Sequence, residues 1–225
     1  MMKPAQISFM LVGLVATTAM ANPRPGSLNS DAFDLSGALD RDIAPTPRAL
    51  EVVVGGGYTQ GAGDAGGAGS VEELTGPGGG LEIQVGTRLV PQFSLALYGT
   101  IARFKHGDSI ADGTRAHAAT AGVQAAWHSR EARALDPWVG VGLGWRELRL
   151  ATMDAPASSL HGAELRIQLG IDYRFTRRLA IAPVIGASLA MFLAETTASG
   201  LTAVRNHGIN FYGFTGVLGR FDLGG

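Results

Sequence analysis

Leu135-Asp136-Pro137-Trp138-Val139-Gly140-Val141-Gly142-Leu143-Gly144-Trp145-Arg146-Glu147-Leu148-Arg149-Leu150 decides the fold. From Val139 to Trp145 a large apolar residue (Val139, Val141, Leu143, Trp145) alternates with glycine (Gly140, Gly142, Gly144), a period of two that suits a β-strand and no helix. One face is apolar and the other nearly bare. A soluble sheet solvates the face opposite its core, and glycine inside a strand loses entropy and packs nothing. Bare positions therefore call for a tight space on their own side. The interior of a small closed barrel is such a space, provided that the large residues face a medium that is itself apolar. The stretch predicts a strand in a membrane.

Working outward, the same period returns on both sides. Ala163 to Phe175 alternates Ala163, Leu165, Ile167, Leu169, Ile171, Tyr173 and Phe175 with Glu164, Arg166, Gln168, Gly170, Asp172 and Arg174. Leu179 to Phe192 and Ile209 to Leu223 follow as strands, and the latter ends the domain. The run Leu179 to Ala194 carries no charge, but Pro183, Gly186 and its sorting of large from small residues at period two oppose a transmembrane helix. Upstream, Ala49 to Thr59, Leu81 to Leu89, Phe93 to Arg103 and a weaker stretch ending in Ala121, Val123, Ala125 and Trp127 complete about eight strands, each near the ~9–11 residues that cross a membrane at a tilt. The expected fold class is all-β, a transmembrane antiparallel up-and-down barrel.

A soluble exported barrel would point its apolar faces inward. Outward Trp145 and inward Arg166 separate the two readings. The predicted lumen charges are Glu51, Glu82, Arg88, Arg146, Glu164, Arg166, Asp172, Arg174 and Arg220; they must pair across strands, because an unpaired buried charge is costly. An eight-stranded barrel is only wide enough for side chains to fill, so a plugged lumen is expected, with a narrow or lateral route for small or hydrophobic molecules as the alternative. Outward aromatics near strand ends, Tyr58, Phe93, Trp127, Trp145, Tyr173, Phe175 and Phe221, suit interfacial girdles.

The connections carry an independent argument. Val90-Pro91-Gln92, Thr176-Arg177-Arg178 and Arg130 to Asp136 are short, whereas Gln60 to Gly79, Phe104 to Gly113, Ala151 to His161 and Leu193 to His207 are long. That asymmetry places both termini in the periplasm. The Gly61 to Gly79 loop, poor in bulky residues, is expected to be a flexible surface segment.

The chain has 225 residues, 16% of them charged, a formal net charge of -1 and no cysteine. The balance gives no basis for nucleic-acid binding, and the missing cysteine excludes disulfides and thiolate chemistry. The 33 glycines show no Gly-X-Y period, which removes collagen. Lys3, the apolar core Ile7 to Ala16 and Ala19-Met20-Ala21 compose a signal peptide over residues 1–21, cleaved before Asn22. Residues 22–48, with Pro23, Pro25, Pro45 and Pro47 around Asp31, Asp34, Asp40 and Asp42, read as a flexible periplasmic segment with one short helix near Ser36 to Asp42. Residues 49–225 form the barrel domain.

The signal peptide, the eight-strand meander and Pro137-Trp138-Val139-Gly140-Val141-Gly142-Leu143-Gly144 resemble the small outer-membrane β-barrel family of the OmpA transmembrane-domain, OmpX and OmpW kind. The resemblance spans Ala49 to Leu223. It implies residence in the bacterial outer membrane, contact with outer-membrane lipid and lipopolysaccharide, insertion by the barrel-assembly machinery and a monomeric state. Such barrels usually end on an aromatic residue, whereas here Phe221 stands inside Gly219 to Gly225. Wall anchoring is not implied, since no matching peptidoglycan-binding stretch follows.

Catalytic signals are sparse. His106, His117, His161 and His207 fall at the loop end near Asp108, Asp112 and Glu195, residue types that bind divalent metals or activate a serine such as Ser159. Their spacing matches no His-x-x-x-His, Gly-x-Ser-x-Gly or phosphate-loop pattern, and solvated loop histidines explain them. The expectation is a non-enzymatic protein without cofactor or metal, a lipid-A-modifying enzyme being the third reading. Glu147 and Arg149, outward above Trp145, mark where the membrane stops; simple exposure at the start of a loop accounts for them, with contact to lipopolysaccharide phosphates or their bridging cations as the second reading.

Overall fold

In the computed structural model, residues 41–46, 48–107, 114–129, 133–151 and 156–224 are described. All lie in the second of two units, Leu35–Gly225; the first, Met1–Asp34, contains the expected signal peptide and falls outside the described residues, as does most of the helix expected near Ser36 to Asp42.

The alternating stretches are strands: β1 (Leu50–Gly63), β2 (Thr75–Val90), β3 (Phe93–His106), β4 (Arg115–His128), β5 (Leu135–Ala151), β6 (Ser158–Arg174), β7 (Leu179–Thr197), β8 (Gly200–Ala203) and β9 (Ile209–Leu223). Each neighbour in sequence from β1 to β7 pairs antiparallel with the next, β7 pairs with β9, and β9 returns to β1 from Leu50↔Leu223 to Gly63↔Asn210. Eight strands thus close a barrel. Closure satisfies every edge, which a hydrocarbon surround demands because no water is there to bond a free N–H or C=O. Among the described residues no helix is long and apolar enough to cross a membrane. The uncharged run from Leu179 is strand β7, with Pro183 on its outer face.

The barrel is inverted relative to a soluble one. Leu81, Leu97, Ile101 and Leu143 are 60–65% exposed, while Arg88, Arg174, Asp172 and Asp222 are at most 2% exposed. Only an apolar solvent outside makes that distribution favourable.

Three features differ from the sequence expectations. The strands run 14 to 19 residues in β1, β3, β4 and β7 among others, longer than crossing requires, so much of the expected long loops is paired hairpin standing beyond the membrane. A short ninth strand, β8, extends the β7 hairpin there. The Gly61 to Gly79 loop, expected to be flexible, is folded: helix α1 (Val71–Leu74) starts with Ser70 Oγ accepting from the Glu73 N–H and the Glu73 carboxylate accepting from the Ser70 N–H. That reciprocal capping box satisfies two of the helix's orphan donors, and it aims Val71 and Leu74 into the barrel mouth. The glycines supplied turns around the helix, as at Gly63, Gly66 and Gly69 with positive φ, rather than mobility. At the other end, the last part of the 22–48 segment is held: Asp42 bridges Arg133, the Ala134 N–H donates to Arg41 O at 2.9 Å, and Pro45 is buried.

Candidate functional site

The inward faces of the strands build a stack of charged levels. Nearest the short turns, Glu51 on β1 joins two arginines, with Arg88 Nε 3.0 Å from one carboxylate oxygen and Arg220 Nη1 2.6 Å from the other. Arg220 Nε also reaches Asp172 Oδ2 at 3.0 Å, Arg174 Nη1 reaches Asp222 Oδ2 at 3.1 Å, and the Trp138 indole N–H donates to Asp172 Oδ1 at 2.9 Å. His128 Nδ1 lies 2.8 Å from Asp136 Oδ2. In the middle, Arg166 Nη2 donates to Glu82 Oε1 at 2.7 Å and Gln168 Nε2 to Glu82 Oε2 at 3.0 Å. Above that, Arg146 pairs with Glu164 and donates to Thr120 Oγ1 and Ser188 Oγ at 3.2 and 3.1 Å. The Tyr98 hydroxyl donates to Glu164 Oε1 at 3.3 Å, tying this level to the one below.

Each level repeats one device. Arg146 lies 3.8 Å over the Tyr212 ring, Arg166 lies 4.1 Å over Tyr98, and Arg220 lies 5.7 Å from Trp138. A guanidinium caught between a carboxylate and an aromatic face recovers by charge pairing and cation–π attraction what it loses in hydration. All nine sequence-expected lumen charges are buried within this stack.

The bare face of β5 is what admits it. A Cβ at Gly140, Gly142 or Gly144 would fall 2.8 Å from Gln124 Nε2, 2.9 Å from Arg166 Cγ and 2.3 Å from the Tyr98 hydroxyl. Side chains from β3, β4 and β6 occupy the missing volume. Above the charges, toward the long loops, the lining turns apolar: Val71, Leu74, Phe104, Leu148, Leu160, Phe192, Val204 and Tyr212 form one buried cluster. A cavity of about 70 Å³ remains beside Glu82, Arg146, Glu164 and Arg166, room for a few waters.

Sequence reasoning set Tyr98 and His128 opposite the apolar faces of their strands but gave them no role, and it missed Asp136, Asp222, Trp138 and Tyr212 as lumen residues. Strict parity was the available signal, since Asp136 and Trp138 fall in step with Gly140, and Asp222 with Arg220. The nearer partner of Arg174 is Asp222 on β9, which was not among the acids expected, with the expected Asp172 further off at 3.8 Å. The expected aromatics all face outward. Phe93 stands opposite Trp127, Tyr173 packs edge-on against Phe175 at 4.8 Å, and Phe221 pairs with Leu179, all near the short turns; Tyr58 and Trp145 lie further toward the loops.

The rim histidines do not converge on one centre. His161 Nε2 is bonded to Thr196 Oγ1 at 3.2 Å rather than to Ser159, His207 lies 3.4 Å from the Phe192 carbonyl, and His117 faces Arg103 and Arg149 across the ladder. Asp108 and Asp112 fall outside the described residues. Among the described residues the one group with metal-like ligand spacing is His128, Asp136 and Asp172, deep in the lumen. Its carboxylates are already engaged by Arg88, Arg220 and Trp138, so the donor set does not fit a divalent cation.

A closed eight-stranded barrel, apolar outside and ionic within, defines the class: a membrane-spanning β-barrel. No protein-family model and no curated protein matches the chain. Solved structures do. Neisserial surface protein A aligns with 14% identity and a TM-score of 0.54 over 77% of this chain and 97% of that one. The N-terminal β-barrel domain of Pseudomonas aeruginosa OprF aligns with 14% identity and a TM-score of 0.44 over 78% and 100% of the two chains. For OprG from Pseudomonas aeruginosa the figures are 12%, 0.45, 80% and 99%. The chain has the fold of the small eight-stranded outer-membrane barrels.

Proposed function

We propose that this protein is an integral barrel of the bacterial outer membrane, closed to ions, with both termini in the periplasm and the long hairpins at the cell surface, acting structurally or through that surface rather than by catalysis. The observation that carries this reading is the filling of the lumen by ion pairs and apolar side chains from Arg174 and Asp222 up to Val71 of α1, with the small cavity beside Glu82 and Arg146 left among the described residues. Opening a path would separate Arg166 from Glu82 and Arg146 from Glu164, stranding buried charges, and breaking one such pair costs about 3–5 kcal/mol. The apolar cluster under α1 would have to move as well.

Orientation follows from short turns on one side and long hairpins on the other. The outward apolar belt meets membrane lipid and lipopolysaccharide, β9 with Phe221 is the segment offered to the barrel-assembly machinery, and the closed edge leaves no strand that requires a second copy, so the barrel works as a monomer. Neither nucleic acid nor a cofactor has a place in this reading.

Three experiments test it. The protein should stay with outer-membrane fractions through salt and carbonate washes and show heat-modifiable gel mobility; release by carbonate would overturn the barrel assignment. Planar bilayers containing the refolded protein should show no reproducible conductance steps, and steps would favour the narrow-channel reading. An unchanged lipid A mass profile on deletion of the protein, and on His161→Ala, is expected for a non-enzyme.

A further inference from the structure

On the outer wall, two guanidiniums flank an imidazole at the loop end. Arg103 on β3 is in register with His117 on β4, which is in register with Arg149 on β5. Burial and the flanking guanidiniums hold the His117 imidazole below its usual pKa, and among the described residues neither arginine has a carboxylate partner. Lys105 and Arg115, two residues further along β3 and β4, are exposed on the same face. Among the described residues, Glu147 is the acid beside them on the same face.

Directly on the membrane side of this row the wall is shallow and mostly apolar. Leu81, Ile101 and Ala119 lie in one register that Glu147 on β5 continues at the groove's edge, with Gly56 and Gly79 alongside. These residues, together with Arg103, His117 and Arg149, line a single open groove on the lipid-facing surface. Small residues in the floor leave a trough, and the cations cap its upper end. An acyl chain fits the first and a phosphate the second: guanidiniums bind phosphate with charge-assisted, bidentate geometry.

We propose that this groove binds a phosphorylated, acylated glycolipid of the outer leaflet, the lipid A moiety of lipopolysaccharide, with its phosphate on Arg103, His117 and Arg149 and an acyl chain along Leu81, Ile101 and Ala119. The proposal rests on the orientation given above, which puts the loop end in the outer leaflet. The anion neutralises the two guanidiniums and can accept from the imidazole between them, and the groove holds the chain that a free phosphate lacks.

The test uses the full mature chain refolded in detergent micelles and titrated with lipid A, monitored by native mass spectrometry. Wild type should retain one lipid A through detergent exchange, and Arg103→Gln/Arg149→Gln should bind it about tenfold more weakly or worse. Arg103→Lys/Arg149→Lys should recover part of the affinity, and Arg177→Gln/Arg178→Gln in the short turn at the opposite end should match wild type. Inorganic phosphate should not compete at millimolar concentration, because it cannot use the groove. Equal binding of lipid A stripped of its phosphates by wild type, equal retention by the Arg103/Arg149 double variant, or full displacement by inorganic phosphate would each overturn the site. Heat-modifiable mobility of every variant is read in parallel; a barrel that is intact and outer-membrane resident yet shows no preference for phosphorylated lipid A defeats this inference alone.

Discussion

The indole of Trp138 lies over Gly170 on the neighbouring strand, so close that a Cβ at position 170 would fall 2.5 Å from the ring. The ring also donates to Asp172, which locks its position. Gly170→Ala therefore forces the indole or the strand to shift, an overpacking cost of about 1–3 kcal/mol. Urea unfolding of the refolded barrel should show that loss, and a Trp138→Phe background should reduce it, since the smaller ring leaves room.

Glu51 is the hinge of the lower charged level, joined to both Arg88 and Arg220. Glu51→Gln leaves two buried guanidiniums short of charge, and a destabilisation of about 3–5 kcal/mol follows from the cost of breaking a buried pair. The check is the unfolding midpoint in micelles. Near-wild-type stability would mean that water reaches this level and the lumen is not closed there.

Outside the barrel the cost depends on depth. Leu143→Arg, at a position 62% exposed to lipid, should destabilise by about 2–4 kcal/mol at the midplane, whereas Ile209→Arg at the loop-end start of β9 should cost about 0–1 kcal/mol. Refolding equilibria into vesicles measure both. Equal costs would contradict the placement of the membrane around β5.

The capped helix gives a separate test of the mouth. Ser70→Ala removes the acceptor for the Glu73 N–H and should loosen α1 by about 1 kcal/mol, seen as faster limited proteolysis within residues 61–79. Val71→Asp should do more, by burying a charge in the apolar cluster. Neither should produce conductance, because the Arg146–Glu164 and Arg166–Glu82 levels lie beneath.

Much of the fold was legible because a strand sorts its residues by simple parity. Val139 to Trp145 and Ala163 to Phe175 each state which face is apolar, and the charges opposite could only point to a lumen. The α1 segment was hidden by composition. Its glycines suggested mobility, yet Ser70-Val71-Glu72-Glu73 carried a capping-box pattern that a period-two search passes over. The outer-wall row was equally hard to see, since Arg103, His117 and Arg149 are far apart in sequence and meet only through the β3–β4–β5 register.

By itself, the sequence determined the barrel, its inverted polarity and the nine charges of its interior, because hydrophobic alternation is a local property of each strand and the surround it implies is the same everywhere. Tertiary structure alone decided who pairs with whom. Arg174 with Asp222, Trp138 over Gly170 and the Arg103–His117–Arg149 row on the outer wall depend on shear and register between strands, and hydrogen-bonded closure fixes these only when all eight strands meet.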